Sequence, residues 1–151
     1  MDRMTLGDAR DSASTGPRLR AGAAYDGEPG SIADARQFVT GFLTRARVVH
    51  GFPVPRRTID TARLVVSELV TNACKYAPGP CVLDLELDEG VLEVTVWDGN
   101  PRLPITRAAE PGRVGQHGLE IVLALCEGFD VRRDPVGKRI KVRIALGSET
   151  D

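Results

Sequence analysis

Three polar residues that could bind a metal ion or move a proton recur along one predicted helix. Glu68, Asn72 and Lys75 are spaced by four and three residues, which places them on one strip of the helix. That strip lies about 100° from the centre of the apolar stripe, so it borders the groove beside the buried face. Asn and Glu oxygens suit Mg²⁺, and the Glu68 carboxylate can accept a proton. The plainer interpretation is three polar side chains in solvent.

Two further segments have residues suited to a nucleotide. Asp98 ends an apolar strand and precedes Gly99 and Asn100, so its carboxylate can accept a hydrogen bond from an amine such as that of adenine. The same residues also suit a turn that begins at an Asp side chain. Gly115 and Gly118 stand at the entry to a predicted helix, where backbone N–H groups and the helix dipole favour a phosphate. Glycines also occur in loops for purely conformational reasons, without any ligand.

Hydrophobic periodicity predicts the elements that position these residues. The predicted helices cover residues 31–49, 58–76 and 117–126. The predicted strands cover residues 19–25, 81–88, 91–98, 129–133 and 139–146, the first of them as an edge strand. Ser31, followed three residues later by Asp34, resembles a capping box at the start of the first helix. The order predicts a two-layer α/β sandwich, with a mixed, mostly antiparallel sheet and all helices on one face.

Composition restricts the function classes. The chain has 151 residues, a formal net charge of -1 and 42% hydrophobic residues, which is typical of one domain with its own core. We expect a single domain over 18–147, a disordered tail over 1–17 and a short tail over 148–151. The charge balance disfavours direct nucleic-acid binding, and no apolar run predicts a membrane span. An odd cysteine count predicts free thiols and a cytoplasmic location.

These motifs, taken together, resemble the GHKL ATP-binding superfamily, whose domain is known as the Bergerat fold. SELVTNACKYAP (67–78) looks like its N-box, VWDGN (96–100) looks like its G1 box, and GQHGLEIV (115–122) looks like its G2 box. The likeness covers roughly residues 31–146. The single-domain length and short lid loop look most like the anti-sigma factor serine/threonine-protein kinases, and the Arg-, Ala- and Gly-rich style is similar to that of actinobacterial members.

The resemblance implies roles for the residues of the N-box and the G1 box. Glu68 would be the general base that activates an acceptor serine, and Asn72 would hold Mg²⁺ against the phosphates of ATP. Lys75 would approach a phosphate, and Tyr76 would lie near the adenine and the ribose. Asp98 would bind the adenine amino group.

The strand before Asp98 and the G2 box complete the implied nucleotide pocket. Thr95 or Val96 would lie beneath the adenine ring. The implied phosphate contacts come from the backbone amides of Gly115, Gly118 and Leu119. His117 could also touch a phosphate, although a solvent-facing residue at a helix start is the plainer interpretation.

The resemblance also implies an activity and partners. Such a protein phosphorylates a serine of a STAS-type anti-anti-sigma factor with Mg·ATP and sequesters a sigma factor, and relatives of this type commonly form homodimers.

One departure of this sequence from the family's motifs favours an alternative function. The family's G1 box reads Asp-x-Gly-x-Gly, whereas Asn100 and Arg102 stand here at the two glycine positions. The alternative is a non-catalytic module, with or without nucleotide, that acts only by binding a partner.

Overall fold

The computed structural model describes residues 3–6, 18–76, 79–88, 90–99, 125–134 and 137–147. Within these ranges the chain forms two helices and one six-stranded sheet. The elements are β1 (Arg3–Leu6), β2 (Leu19–Tyr25), α1 (Gly30–Val48), α2 (Arg56–Tyr76), β3 (Cys81–Asp88), β4 (Val91–Asp98), β5 (Gly128–Asp134) and β6 (Gly137–Ala145). The strand order is β1-β2-β3-β4-β6-β5, and every pairing is antiparallel.

Alternation along the central strands separates a core face from a solvent face. In β3, Leu83, Leu85 and Leu87 are buried, whereas Asp84 and Glu86 are only half-buried. Successive side chains of a strand point to opposite faces, so the leucines pack under the helices and the carboxylates face outward. The buried side chains of sheet and helices form one cluster. The predicted two-layer α/β sandwich is therefore confirmed.

The helix α2 supplies much of this core and is the element that carries the predicted N-box. Its apolar stripe includes Val65, Val66, Leu69 and Val70, all fully buried. The start of the helix is tied to the far end of the sheet, because the Thr58 hydroxyl donates a hydrogen bond to the carbonyl of Leu146. Neither described helix has the long apolar run that a bilayer crossing needs.

The start of α1 differs from the prediction. The helix begins at Gly30 with Pro29 at the N-cap, and no side chain caps it. The Ser31 hydroxyl instead donates a hydrogen bond to Asp26 Oδ1 at 3.2 Å. The predicted capping box of Ser31 and Asp34 is therefore wrong, because the serine is already inside the helix and its hydroxyl bonds to the preceding loop.

The sheet edge also differs from the prediction. The strand β2 lies between β1 and β3, so it is not an edge strand. β1 falls within the segment 1–17 that composition assigned to a tail. Four residues are too few to show a hydrophobic period. The strand is therefore recognised by its pairing with β2 and not by its own sequence pattern. The predicted third helix, over 117–126, lies almost wholly outside the described residues.

Truncating the core side of α2 is expected to cost far more stability than truncating its exposed side. Leu69 is 0% exposed and Leu64 is 36% exposed on the same helix. Leu69→Ala should lower the free energy of unfolding by about 2–5 kcal/mol, since it removes buried contacts and leaves a cavity. Leu64→Ala is the matched control, and urea denaturation should give it a much smaller loss. Equal losses for the two variants would contradict this packing.

Candidate functional site

The end of β4 holds a buried ion pair. Asp98 is the last residue of β4 and follows Val94 and Val96 on the face that packs under the helices. Its register partner in β6 is Lys138. Lys138 Nζ lies 2.8 Å from Asp98 Oδ2, and each side chain is only 1% exposed. Charged groups are rarely buried unless they are paired, so each of these two side chains requires the other.

A glycine allows this pair to form. Gly137 precedes Lys138, and a Cβ atom at Gly137 would collide with the backbone carbonyl of Asp98. Only glycine, which has no side chain, lets the start of β6 approach the end of β4 so closely. The short segment around Gly137 thus sets the register that brings the ammonium to the carboxylate.

The second part of the site lies on α2. Asn72 is half-buried, and its Oδ1 atom is buried with no hydrogen-bond partner among the described residues. Buried amide oxygens are nearly always hydrogen-bonded, so an orphan acceptor needs a ligand or a water. Glu68, one turn earlier, is also half-buried. An amide oxygen with a carboxylate one turn away is a donor set that fits Mg²⁺.

The described residues include no group of three or more His, Cys, Asp or Glu side chains that could hold a metal ion by themselves. Mg²⁺ usually keeps several waters and takes further ligands from substrate phosphates. Asn72, with Glu68 nearby, therefore fits a magnesium ion that arrives with a phosphorylated ligand rather than one resident in a protein cage.

Two cysteines connect the α2 part of the site to the β4 part. Cys81 begins β3 directly opposite Asp98. Burial raises the pKa of Cys81 to about 11, with further contributions from the nearby Cys74 and Asp98. Cys74 lies two residues after Asn72 on α2, and burial together with Asp26 raises the pKa of its thiol as well. Cys74, near the end of α2, thus lies close to the start of β3, whose first residue pairs with Asp98.

A close loop contact holds this corner together. Gly27 has φ 88°, a left-handed conformation that favours glycine. A Cβ atom there would collide with the backbone of Gly79, in the connection from α2 to β3. The Cys74 thiol also lies 4.0 Å from the Glu28 carbonyl oxygen. The β2–α1 connection thus packs against the α2–β3 connection, and both border the site.

The structure describes only part of the predicted site. Glu68 and Asn72 lie on α2 as predicted, and Asp98 lies at the end of β4. Of the two residues predicted beneath the adenine ring, only Val96 shares the core face with Asp98. Thr95 points to the opposite face, because successive strand residues alternate.

The remaining predicted residues fall where less is described. Lys75 and Tyr76 belong to the last turn of α2, and their side chains lie outside the described part of the structure. The predicted phosphate-binding residues also lie outside the described residues; they are Gly115, His117, Gly118 and Leu119.

Lys138 is the site residue that sequence reasoning missed. The predicted strand begins at Arg139, one residue after it. Extending the alternation of Ile140 and Val142 back by one step places Lys138 on the core face, where it needs an anion. The available signal was a lysine at a position where the alternation of β6 predicts a buried side chain.

The site thus combines a sheet covered on one face by helices, a buried carboxylate at the end of β4, and an amide oxygen on α2 that has no described partner. A family model described as the histidine kinase-like ATPase domain matches residues 26–144. The chain belongs to this family, which supports its place in the GHKL superfamily and ATP binding.

Comparison with individual proteins adds one structural likeness. The histidine kinase domain from Erythrobacter litoralis EL346 blue-light activated histidine kinase is similar, with 22% sequence identity and a TM-score of 0.49. The match covers 76% of this chain and 62% of that one, so the chain spans less than two thirds of that domain's length. No curated protein is significantly similar in sequence to the chain.

The close approach at Gly137 yields a direct test of how the ion pair is positioned. Gly137→Ala should lower the free energy of unfolding by about 1–3 kcal/mol, because its methyl group would push β6 away from Asp98. Gly99→Ala is the matched control, since a Cβ atom at Gly99 meets nothing within 4 Å. Thermal melting measures both variants, and an unchanged melting temperature for Gly137→Ala would contradict the close approach.

Proposed function

We propose that this chain binds ATP with Mg²⁺ and phosphorylates a serine of a small STAS-type anti-anti-sigma factor. We further propose that it sequesters a sigma factor once that partner is phosphorylated. Membership of the histidine kinase-like ATPase family supports the ATP-binding half. The observation that carries the proposal is the buried Oδ1 of Asn72, which has no hydrogen-bond partner among the described residues and lies one helical turn after the Glu68 carboxylate.

Each described residue of the site has a role in this proposal. Asn72 Oδ1 would be a ligand of Mg²⁺, which supplies charge neutralisation at the phosphates when bound. Asp98 would accept a hydrogen bond from the adenine amino group. Glu68 would orient the serine hydroxyl and accept its proton. Phosphoryl transfer depends mainly on positioning and charge, so a rigid helix that presents both side chains suits it.

The proposed phosphoryl transfer forms one bond and breaks one. The serine oxygen forms a bond to the γ-phosphorus, and the bond from that phosphorus to the β–γ bridging oxygen breaks. The serine proton goes to Glu68, and ADP leaves with the bridging oxygen. Glu68 is half-buried at the margin of the apolar stripe, where a partner loop could reach it.

A second candidate function is a docking module that does not turn nucleotide over. Asn100 and Arg102, at the glycine positions of the family's G1 box, favour it. In such a module Lys138 would be the permanent partner of Asp98, 2.8 Å away. In this case partner binding would be independent of Glu68.

A phosphorylation assay separates the two candidates. The wild type, Mg·ATP labelled at the γ-position and a purified STAS-type partner should give a phosphoserine on the partner. Glu68→Gln should slow labelling by at least about a hundredfold while ATP still binds, because it removes the proton acceptor and leaves Asn72 in place. Asn72→Ala should abolish the dependence of ATP affinity on Mg²⁺.

The control for this assay lies on the same helix. Asp60 is an exposed carboxylate of α2, and Asp60→Asn should leave the labelling rate unchanged. If the wild type binds the partner but never labels it, and Glu68→Gln binds it equally well, the kinase proposal fails. The docking module would then be the function.

A further inference from the structure

The Lys138 ammonium has more hydrogen-bonding capacity than the described structure uses. Its side chain is 1% exposed, and a lysine ammonium carries three N–H donors. In the described part of the chain, its one side-chain partner is Asp98 Oδ2. A buried ammonium is stable only when acceptors surround it, so one carboxylate oxygen leaves donors that require further acceptors.

The position of Lys138 is also unusual for its strand. Ile140, Val142 and Ile144 occupy the same face of β6, and all are buried. Replacing a buried ion pair by apolar residues of similar size is often neutral or stabilising, so packing alone does not require a lysine there. An exocyclic amine, in turn, requires only the carboxylate of Asp98. Pairing with Asp98 accounts for one donor of the lysine, and neither packing nor amine binding accounts for the other two.

The pair places one acceptor and one donor side by side where β4 ends and β6 begins. Adenine offers the complementary pair, because its amino group donates and the adjacent ring nitrogen N1 accepts. We propose that Lys138 is a base-recognition residue, whose ammonium donates to N1 while Asp98 accepts from the amino group. This inference rests on the proposed ATP binding and adds the residue that determines base specificity.

The strand pairing fixes the order of the two groups. Asp98 belongs to β4 and Lys138 to β6, and the register between these strands holds the carboxylate and the ammonium in place. A hypoxanthine base presents the reverse order, with a carbonyl where adenine has its amino group and an N–H at N1. Binding it in the same orientation would direct the carboxylate at a carbonyl and the ammonium at an N–H. The pair thus selects for adenine.

Calorimetric titration of the wild type with modified nucleotides tests this role. Mg·1-deaza-ATP, in which a C–H group replaces N1, should bind about ten- to a hundredfold more weakly than Mg·ATP, since a hydrogen bond to a charged group is lost. Mg·7-deaza-ATP, which lacks a nitrogen on the other ring, should bind almost as well as Mg·ATP. Inosine triphosphate should bind more weakly than ATP.

The outcomes distinguish this inference from the proposed function. Equal affinity for ATP and 1-deaza-ATP would overturn the role of Lys138 and leave ATP binding intact. Absence of binding to every nucleotide would overturn both. These titrations use only the wild type, so they do not depend on any variant folding.

Two variants then test whether the Lys138 side chain is what distinguishes ATP from 1-deaza-ATP. Lys138→Met should bind ATP and 1-deaza-ATP with equal affinity, because it has no donor for N1. Lys141→Met is the matched control on the same strand; its ammonium lies 3.8 Å from Glu93 Oε1 on the outer face. This control should discriminate as the wild type does, with thermal melting verifying that both variants fold. Discrimination retained by folded Lys138→Met would contradict the assignment.

Discussion

Two opposite charges, buried side by side where β4 ends and β6 begins, constrain the rest of the site. Neither the Asp98 carboxylate nor the Lys138 ammonium is stable in the interior alone, so the two strands must pair in the register that joins them. That register requires the backbones to approach closely at Gly137. It also orients Asp98 toward the helix layer, where Cys81 lies opposite it on the other neighbouring strand.

The helix α2 serves the core and the site with different faces. Its apolar stripe packs on the sheet, and this packing fixes the rotation of the helix about its axis. The margin of the stripe then brings Glu68 and Asn72 to the border between helix and sheet, where Asn72 Oδ1 is buried and no described residue bonds to it. A polar atom in such a position is costly to the free chain and suits a ligand. Folding therefore prepares the site before any nucleotide arrives.

The accuracy of the sequence prediction follows the strength of the local signals. The hairpin of β3 and β4 was predicted residue for residue, because strict alternation specifies both strands. The N-box and G1 box resemblance singled out Asn72 and Asp98 but not Lys138, whose pairing depends on a residue forty positions away in the sequence. The predicted Ser31 capping box was wrong for a similar reason, since Asp26 in the preceding loop accepts the hydrogen bond of the Ser31 hydroxyl. In both cases the deciding partner lies outside the motif, five residues away for Ser31 and forty for Lys138.

The most direct test of the nucleotide site is calorimetric titration of Mg·ATP into the wild type and Asp98→Asn, with thermal melting to verify that the variant is folded. The account predicts saturable binding to the wild type and a loss of at least about a hundredfold in folded Asp98→Asn, because an amide replaces a charged acceptor. A wild type that gives only heats of dilution, or a folded Asp98→Asn that binds as tightly, would contradict it.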